Sequence, residues 1–137
     1  MKLSGIVETA IYTNDLIAMR QFYEEKLGLE CIAYTENQSA FFKINRSVLL
    51  IFNRNYTVDQ TATVNGNAIP PHATSGAGHL AFEAPDCEYE DRKSRICAMG
   101  IKIESEVTWP HGKKSFYFRD PADNSVEITE HGLWDNL

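Results

Sequence analysis

Three ionisable residues, Glu8, His79 and Glu127, stand at matching places in three short apolar runs of the 137-residue chain. Two carboxylates and an imidazole are the oxygen and nitrogen donors that divalent first-row metals accept. In a strand, residues two apart share a face. If Leu80 and Phe82 pack under a helix, His79, Ala81 and Glu83 turn to the other side of the sheet. By the same alternation Val7, Thr9 and Ile11 take a packed face and leave Glu8, Ala10 and Tyr12 opposite. Val126 and Ile128 likewise leave Ser125, Glu127 and Thr129 opposite, so the three donors converge on one concave surface.

The elements that must position them are written twice. Glu8 and His79 each stand seven residues before an Asp, Asp15 and Asp86, that can cap a helix. Helical stretches follow over Leu16 to Leu27 and Cys87 to Met99, closed by Gly28 and Gly100 as C-caps. Strand-like runs come next: Leu29 to Tyr34 and Ile101 to Val107, then Ala40 to Ile44 and Ser115 to Arg119, then Val48 to Phe52 and Val126 to Glu130. The pattern predicts two βαβββ modules. Aligning Ser47-Val48-Leu49 with Ser125-Val126-Glu127 makes Leu49 the fourth equivalent position, where no donor atom stands. The expected organisation is a single domain over 1–137, with module one at 1–53, a connection at 54–77 and module two at 78–137. About 25 residues without evident pattern is long for a connection in a compact domain and reads as a lid or linker. A module with one helix buries little apolar surface alone, so the modules pair with each other or across a homodimer.

Composition bounds the partners. Thirteen Lys and Arg against nineteen Asp and Glu leave a net charge of −6, with no broad basic face for nucleic acid. The apolar start is broken by Glu8, and no run is long enough to span a bilayer, so the expectation is a cytoplasmic protein away from membranes. Cys31, Cys87 and Cys97 form no Cys-x-x-Cys pair and read as reduced, mostly buried thiols.

The chain resembles the vicinal oxygen chelate superfamily of glyoxalase I, the fosfomycin and bleomycin resistance proteins and the extradiol dioxygenases. The likeness is carried by Asp15-Leu16 with Phe22-Tyr-Glu-Glu-Lys-Leu-Gly28, by Gly78-His-Leu-Ala-Phe82, and by Tyr117-Phe-Arg-Asp-Pro-Ala-Asp-Asn-Ser-Val-Glu127. The resemblance implies an α+β fold in which the paired modules form a cupped eight-stranded mixed sheet. It also implies a divalent metal (Mn2+, Fe2+, Zn2+, Ni2+ or Mg2+) held by Glu8, His79 and Glu127. His79 and Glu127 match the commonest ligands of the family, whereas Glu8 replaces the usual histidine and Leu49 departs from the four-ligand pattern.

Without the repeat, Glu127 reads as a solvated strand-end carboxylate and His79 as a satisfied core histidine; the matching register favours ligation. Glu8 is either a third ligand or a hydrogen-bond acceptor for substrate. Two carboxylates would cancel the ion's charge and leave a moderate Lewis acid, suited to chelating adjacent oxygens and stabilising an enolate or alkoxide. The set differs from the two-His-one-carboxylate triad of oxygen-activating iron. That difference sets dioxygenation behind the lyase, isomerase or transferase chemistry on a small organic substrate that the resemblance implies, with Glu8 or Glu127 as the general base. Further pocket candidates are Tyr12, Tyr117, Trp109, Arg119 and His72. Arg119 either grips a substrate anion or pairs with Asp120, Trp109 either walls the pocket or covers a sheet edge, and His72 is either a lid residue or a surface histidine. The competing reading is a metal-free protein of the bleomycin resistance kind. It would sequester an aromatic or cationic compound between Tyr12, Trp109 and Tyr117, with Glu8 and Glu83 attracting the cation.

Overall fold

A computed structural model of the chain describes residues 1–59 and 62–135. It divides into two compact units, Met1–Ser75 and Gly76–Leu137. The class is α+β with two βαβββ modules, as the duplicated pattern predicts.

In the first unit β1 (Glu8–Thr13) leads into α1 (Leu16–Arg20), which runs on as a π-helical segment, Gln21–Lys26. Asp15 caps it as expected, its carboxylate accepting from the Ala18 N–H at 3.0 Å. Gly28, at φ 69°, ends it in the left-handed conformation that favours glycine. Strands β2 (Glu30–Thr35), β3 (Ser39–Ile44) and β4 (Ser47–Asn53) follow in the order β1-β4-β3-β2, with β1 parallel to β4. Leu16, Met19, Phe22 and Tyr23 of the helix pack with Ile11, Phe42, Leu49 and Ile51 to form the core of this unit.

The connection is not featureless. It starts with one helical turn, α2 (Arg54–Thr57), capped by the Asn53 side chain on the Asn55 N–H at 3.1 Å. A hairpin of β5 (Ala62–Val64) and β6 (Asn67–Ile69) follows, turning on Asn65 (φ 51°) and Gly66 (φ 79°). Two consecutive left-handed residues are what a tight two-residue hairpin needs, and Asn-Gly is its commonest sequence. Residues 60 and 61 of the connection lie outside the described residues. The segment is held to the first unit by the His72 N–H on the Thr57 carbonyl (3.1 Å) and by Arg54 Nε on the Thr74 carbonyl (3.0 Å).

The second unit comprises β7 (His79–Glu83), α3 (Tyr89–Ala98), β8 (Ser105–Thr108), β9 (Lys114–Arg119) and β10 (Ser125–Thr129), ordered β7-β10-β9-β8 with β7 parallel to β10. Tyr89, Ile96, Phe116, Phe118, Val126 and Ile128 fill its core. Here Asp86 does not cap the helix as Asp15 does. Cys87 sits at φ 64°, outside helical space, so α3 starts later, after Glu88, with no side-chain cap. Cys87 and Cys97 are exposed thiols, contrary to the expected burial, and all three cysteines are free. No described helix is long and apolar enough to cross a membrane.

Candidate functional site

Strand pairing places the second unit's donors. In β7 and β10 His79 lies opposite Ser125 and Ala81 opposite Glu127, and β9 sets Tyr117 across from Glu127. His79, Ala81, Ser125, Glu127, Tyr117 and Ser115 therefore share the face turned away from α3. The register is locked at its start by the Asp120–Asn124 turn. One Asp120 carboxylate oxygen accepts the N–H groups of Ala122 and Asn124 at 2.9 Å each, and the other accepts from the Asn124 amide at 2.9 Å. The Asn124 amide oxygen in turn accepts the Gly78 N–H at 2.8 Å, and the Ser125 N–H donates to the Gly78 carbonyl at 2.9 Å.

His79 Nδ1 lies 3.0 Å from the Ser125 carbonyl oxygen. A carbonyl only accepts, so this nitrogen carries the proton and Nε2 faces the site. Nε2 lies 3.2 Å from Glu127 Oε2. The His79 side chain is 54% exposed, whereas Glu127 is only 6% exposed, and its Oε1 is buried with no hydrogen-bond partner. With Nδ1 committed to a carbonyl, a neutral His79 turns a lone pair on a carboxylate, and only a proton or a cation between them makes that contact favourable. An imidazole whose far nitrogen donates to a carbonyl is the arrangement that metal-bound histidines adopt. An orphaned buried carboxylate oxygen needs a donor or a cation as well. The pair therefore fits a divalent ion by donor chemistry. Within neither unit, among the described residues, do three His, Cys, Asp or Glu side chains cluster as a complete cage.

The Tyr117 ring stacks beside His79 at 6.3 Å between centroids. Burial, and after it the Glu127 carboxylate, holds its phenol above the usual value. Trp109 Nε1–H donates to the fully buried Ser115 hydroxyl at 2.9 Å, tying the β8–β9 turn to this face. Arg119 is engaged by Glu104, with Nε on one carboxylate oxygen at 2.7 Å and Nη2 on the other at 3.2 Å, while Nη1 reaches the Asp123 carbonyl at 3.1 Å. Its carboxylate partner is thus Glu104, and the Asp120 oxygens serve the turn. Glu83 is also engaged: it accepts the Gly132 N–H at 2.9 Å and pairs with His131 at 3.0 Å. Those contacts, the backbone N–H first, depress its pKa.

In the first unit Glu8 is exposed at the start of β1, opposite Val48. The pairing Glu8–Val48 corresponds to His79–Ser125, so the counterpart of Glu127 is Leu50, not Leu49. Leu49 is 3% exposed on the helix face. The alignment on Ser47 and Ser125 slips because β3 and β4 are joined by two residues, Asn45 and Arg46, whereas β9 and β10 are joined by the five-residue Asp120–Asn124 turn. Tyr12 shares the Glu8 face and lies opposite Phe52. Its hydroxyl is 2.6 Å from His72 Nδ1, and the His72 ring meets Phe52 edge-on at 4.9 Å. His72 therefore leaves the connection to pack on the open face of the first sheet. Sequence reasoning missed the residues around it, Phe41, Phe52 and Thr57. The alternation of β3 and β4 places the two phenylalanines on that face, but only the folded connection brings Thr57 to them.

The family model described as Glyoxalase/Bleomycin resistance protein/Dioxygenase superfamily matches residues 5–128. Among solved structures, a lactoylglutathione lyase from Agrobacterium tumefaciens is 41% identical at a TM-score of 0.88, with 98% of each chain covered. A virulence protein from Salmonella typhimurium shares the fold at 24% identity and a TM-score of 0.73, covering 95% of this chain and 98% of its own. A glyoxalase/bleomycin resistance protein/dioxygenase from Nocardioides does so at 22% identity and 0.71, covering 96% and 87%. No curated protein matches the chain.

Proposed function

Because the chain belongs to the glyoxalase/bleomycin resistance protein/dioxygenase superfamily, we propose that it is a metal-dependent lyase or isomerase of the glyoxalase kind. In this reading His79 and Glu127 hold one divalent ion, and a small organic substrate presents adjacent oxygens to it. The observation that carries the reading is the bare approach of His79 Nε2 to Glu127 Oε2 at 3.2 Å, beside a second carboxylate oxygen that has no partner. A single shared proton would leave that second oxygen unsatisfied, whereas a bound cation accounts for both.

When bound, the ion supplies Lewis-acid stabilisation of charge developing on substrate oxygen. The chain does the rest. The Ser125 carbonyl fixes the ring orientation of His79, and the burial of Glu127, 6% exposed, limits the water that reaches its carboxylate. A carboxylate released toward substrate, from Glu127 or Glu8, takes the proton. Tyr117 and Trp109 in the second unit, and Tyr12 and His72 in the first, are the proposed substrate contacts. Arg119, engaged by Glu104, serves the fold. The 41% identity to a lactoylglutathione lyase makes lactoylglutathione the first product to assay. We also propose a homodimer, supported by the exposed Ile6, Val7 and Ile17 of the first unit.

The test begins with protein purified without chelator and then stripped. Addition of Mn2+, Ni2+, Zn2+, Fe2+ or Mg2+ should load about one ion per chain and produce lactoylglutathione from its thiol–aldehyde adduct. His79→Ala and Glu127→Gln should lose both the ion and turnover. A wild-type chain that takes up none of the five ions would overturn the proposal, and an ion-loaded chain without turnover would overturn the choice of substrate.

A further inference from the structure

The connection carries a chemistry of its own that the metal reading does not use. Asn65 is the one asparagine in the sequence that is followed by glycine, and both residues are exposed at the tip of the β5–β6 hairpin. The pair Val64 and Asn67 closes the ladder, so the Gly66 nitrogen lies outside it. The Asn65 main-chain carbonyl accepts from the Asn67 side-chain amide at 3.3 Å, whereas no hydrogen bond among the described residues holds the Asn65 side-chain amide itself. Around Gly66 the space is open, with no atom within 4 Å of where a Cβ would stand. A main-chain nitrogen without a neighbouring side chain and an unheld amide one residue before it are the two partners of an intramolecular ring closure.

We propose that Asn65-Gly66 is a site of spontaneous, one-way modification, at which the asparagine becomes isoaspartate and the hairpin loses its turn. The Gly66 nitrogen gives its proton to base and attacks the side-chain carbonyl carbon of Asn65. The bond from that carbon to the amide nitrogen breaks, ammonia leaves, and a five-membered succinimide remains. Water then opens the ring. Cleavage at the former side-chain carbonyl gives aspartate, and cleavage at the main-chain carbonyl gives isoaspartate, with Cβ now part of the main chain. Ring closure requires Asn65 to leave its left-handed conformation, so the reaction runs from the opened hairpin. Opening is easy: β5 and β6 pair only with each other, over three exposed residues each, and an isolated two-stranded hairpin is marginal in water. Asn37 and Asn45 are exposed and left-handed too, at φ 62° and 50°, but Gln38 and Arg46 follow them. Asn124 is 3% exposed, and its amide is held by Asp120. The product cannot rebuild the turn, because a tight two-residue hairpin needs two consecutive left-handed α-residues and isoaspartate adds a main-chain carbon. The ordered path from β6 through Pro70 and Pro71 to His72 is lost with it. The site requires no metal and stands or falls separately from the proposed reaction.

The test is prolonged incubation of the purified full chain in mildly alkaline buffer, followed by mass mapping of its asparagines. Asn65 should convert to a mixture of acids in which isoaspartate, detected with an isoaspartyl carboxyl methyltransferase, exceeds aspartate, while Asn37, Asn45 and Asn124 remain amides. Gly66→Ala should lose the conversion, even though alanine strains the left-handed position and opens the hairpin. In the separated isoaspartate form the cross-strand contacts of Val64 with Asn67 and of Thr63 with Ala68, read by NMR, should be lost, while those of Phe42 with Leu49 are kept. Freshly prepared Asn65→Asp carries the same charge on a normal main chain and should keep all three. Absence of conversion at Asn65, conversion of Asn37 or Asn45 at the same rate, conversion that survives Gly66→Ala, an intact hairpin in the isoaspartate form, or its equal loss in Asn65→Asp would each overturn the proposal.

Discussion

Glu127 and His79 face each other from neighbouring parallel strands, with Oε2 3.2 Å from Nε2 and the second carboxylate oxygen buried and unpaired. Such a pair is poorly satisfied unless a proton or a cation joins it, and stability and ion binding should therefore respond in opposite senses to the same change. In chelator, Glu127→Leu should raise the melting temperature, because it removes a desolvated carboxylate worth about 1–3 kcal/mol. The same variant should lose Mn2+ binding measured by calorimetry. A variant less stable than wild type in chelator would contradict the unpaired state of Oε1.

The register of β1 and β4 distinguishes two adjacent leucines. Leu49→Glu places a charge in the helix-packed core and should destabilise the fold by several kcal/mol, about 3 or more, as measured by urea denaturation. Leu50→Glu puts its carboxylate on the Glu8 face and should be tolerated. Equal destabilisation by the two changes would refute the register.

The depressed pKa of Glu83 carries a pH dependence of definite sign. The Gly132 N–H, and then His131, favour its charged form, so its folded pKa lies below the ordinary 4.5. Its contribution to stability is present above that ordinary value and is lost as pH falls through the folded pKa. The melting temperature of wild type should therefore exceed that of Glu83→Gln at neutral pH, by a small margin because the side chain is half exposed. The two curves should converge as the solution is acidified below pH 4.5. A margin that widens with acid would reverse the assignment.

Asn124 joins two bonded systems, the Asp120 turn and the start of β7. Asn124→Ala should cost about 1–3 kcal/mol, since it leaves a buried Asp120 oxygen without its amide donor and frees the Gly78 N–H. Hydrogen exchange at Gly78 should accelerate by more than that at Phe82, which lies further along the same strand. Uniform acceleration along β7 would argue against a local clamp.

The doubled architecture was legible because its signals are local. Gly28 and Gly100 close helices at positive φ, Asp15 caps one, and period-two alternation put His79 and Glu127 on one face. The misreadings came from interactions that run between distant residues. Asp86 resembles Asp15, but the left-handed Cys87 after it blocks the helix start. The Leu49 alignment failed because turn length, rather than residue identity, sets which residues pair across parallel strands. The hairpin on Asn65-Gly66 had a recognisable turn signal, but its strands are three residues each, too short to show alternation. For Arg119, alternation along β9 gave the face and the sequence offered Asp120 as the paired acid, whereas its carboxylate partner is Glu104, fifteen residues earlier.

The Asp120–Asn124 turn also bears on how relatives of this chain should be judged. Through Asn124 and Gly78 it decides which residue of β7 stands beside Ser125. A slip of one residue there would rotate His79 into the core and Leu80 into the site without altering a single donor. A descendant could thus retain His79 and Glu127 and still lose their pairing, the change written in a loop that touches neither side chain. For this lineage, the length and wiring of that turn are a better mark of whether His79 and Glu127 still face each other than the roll of its acids and histidines.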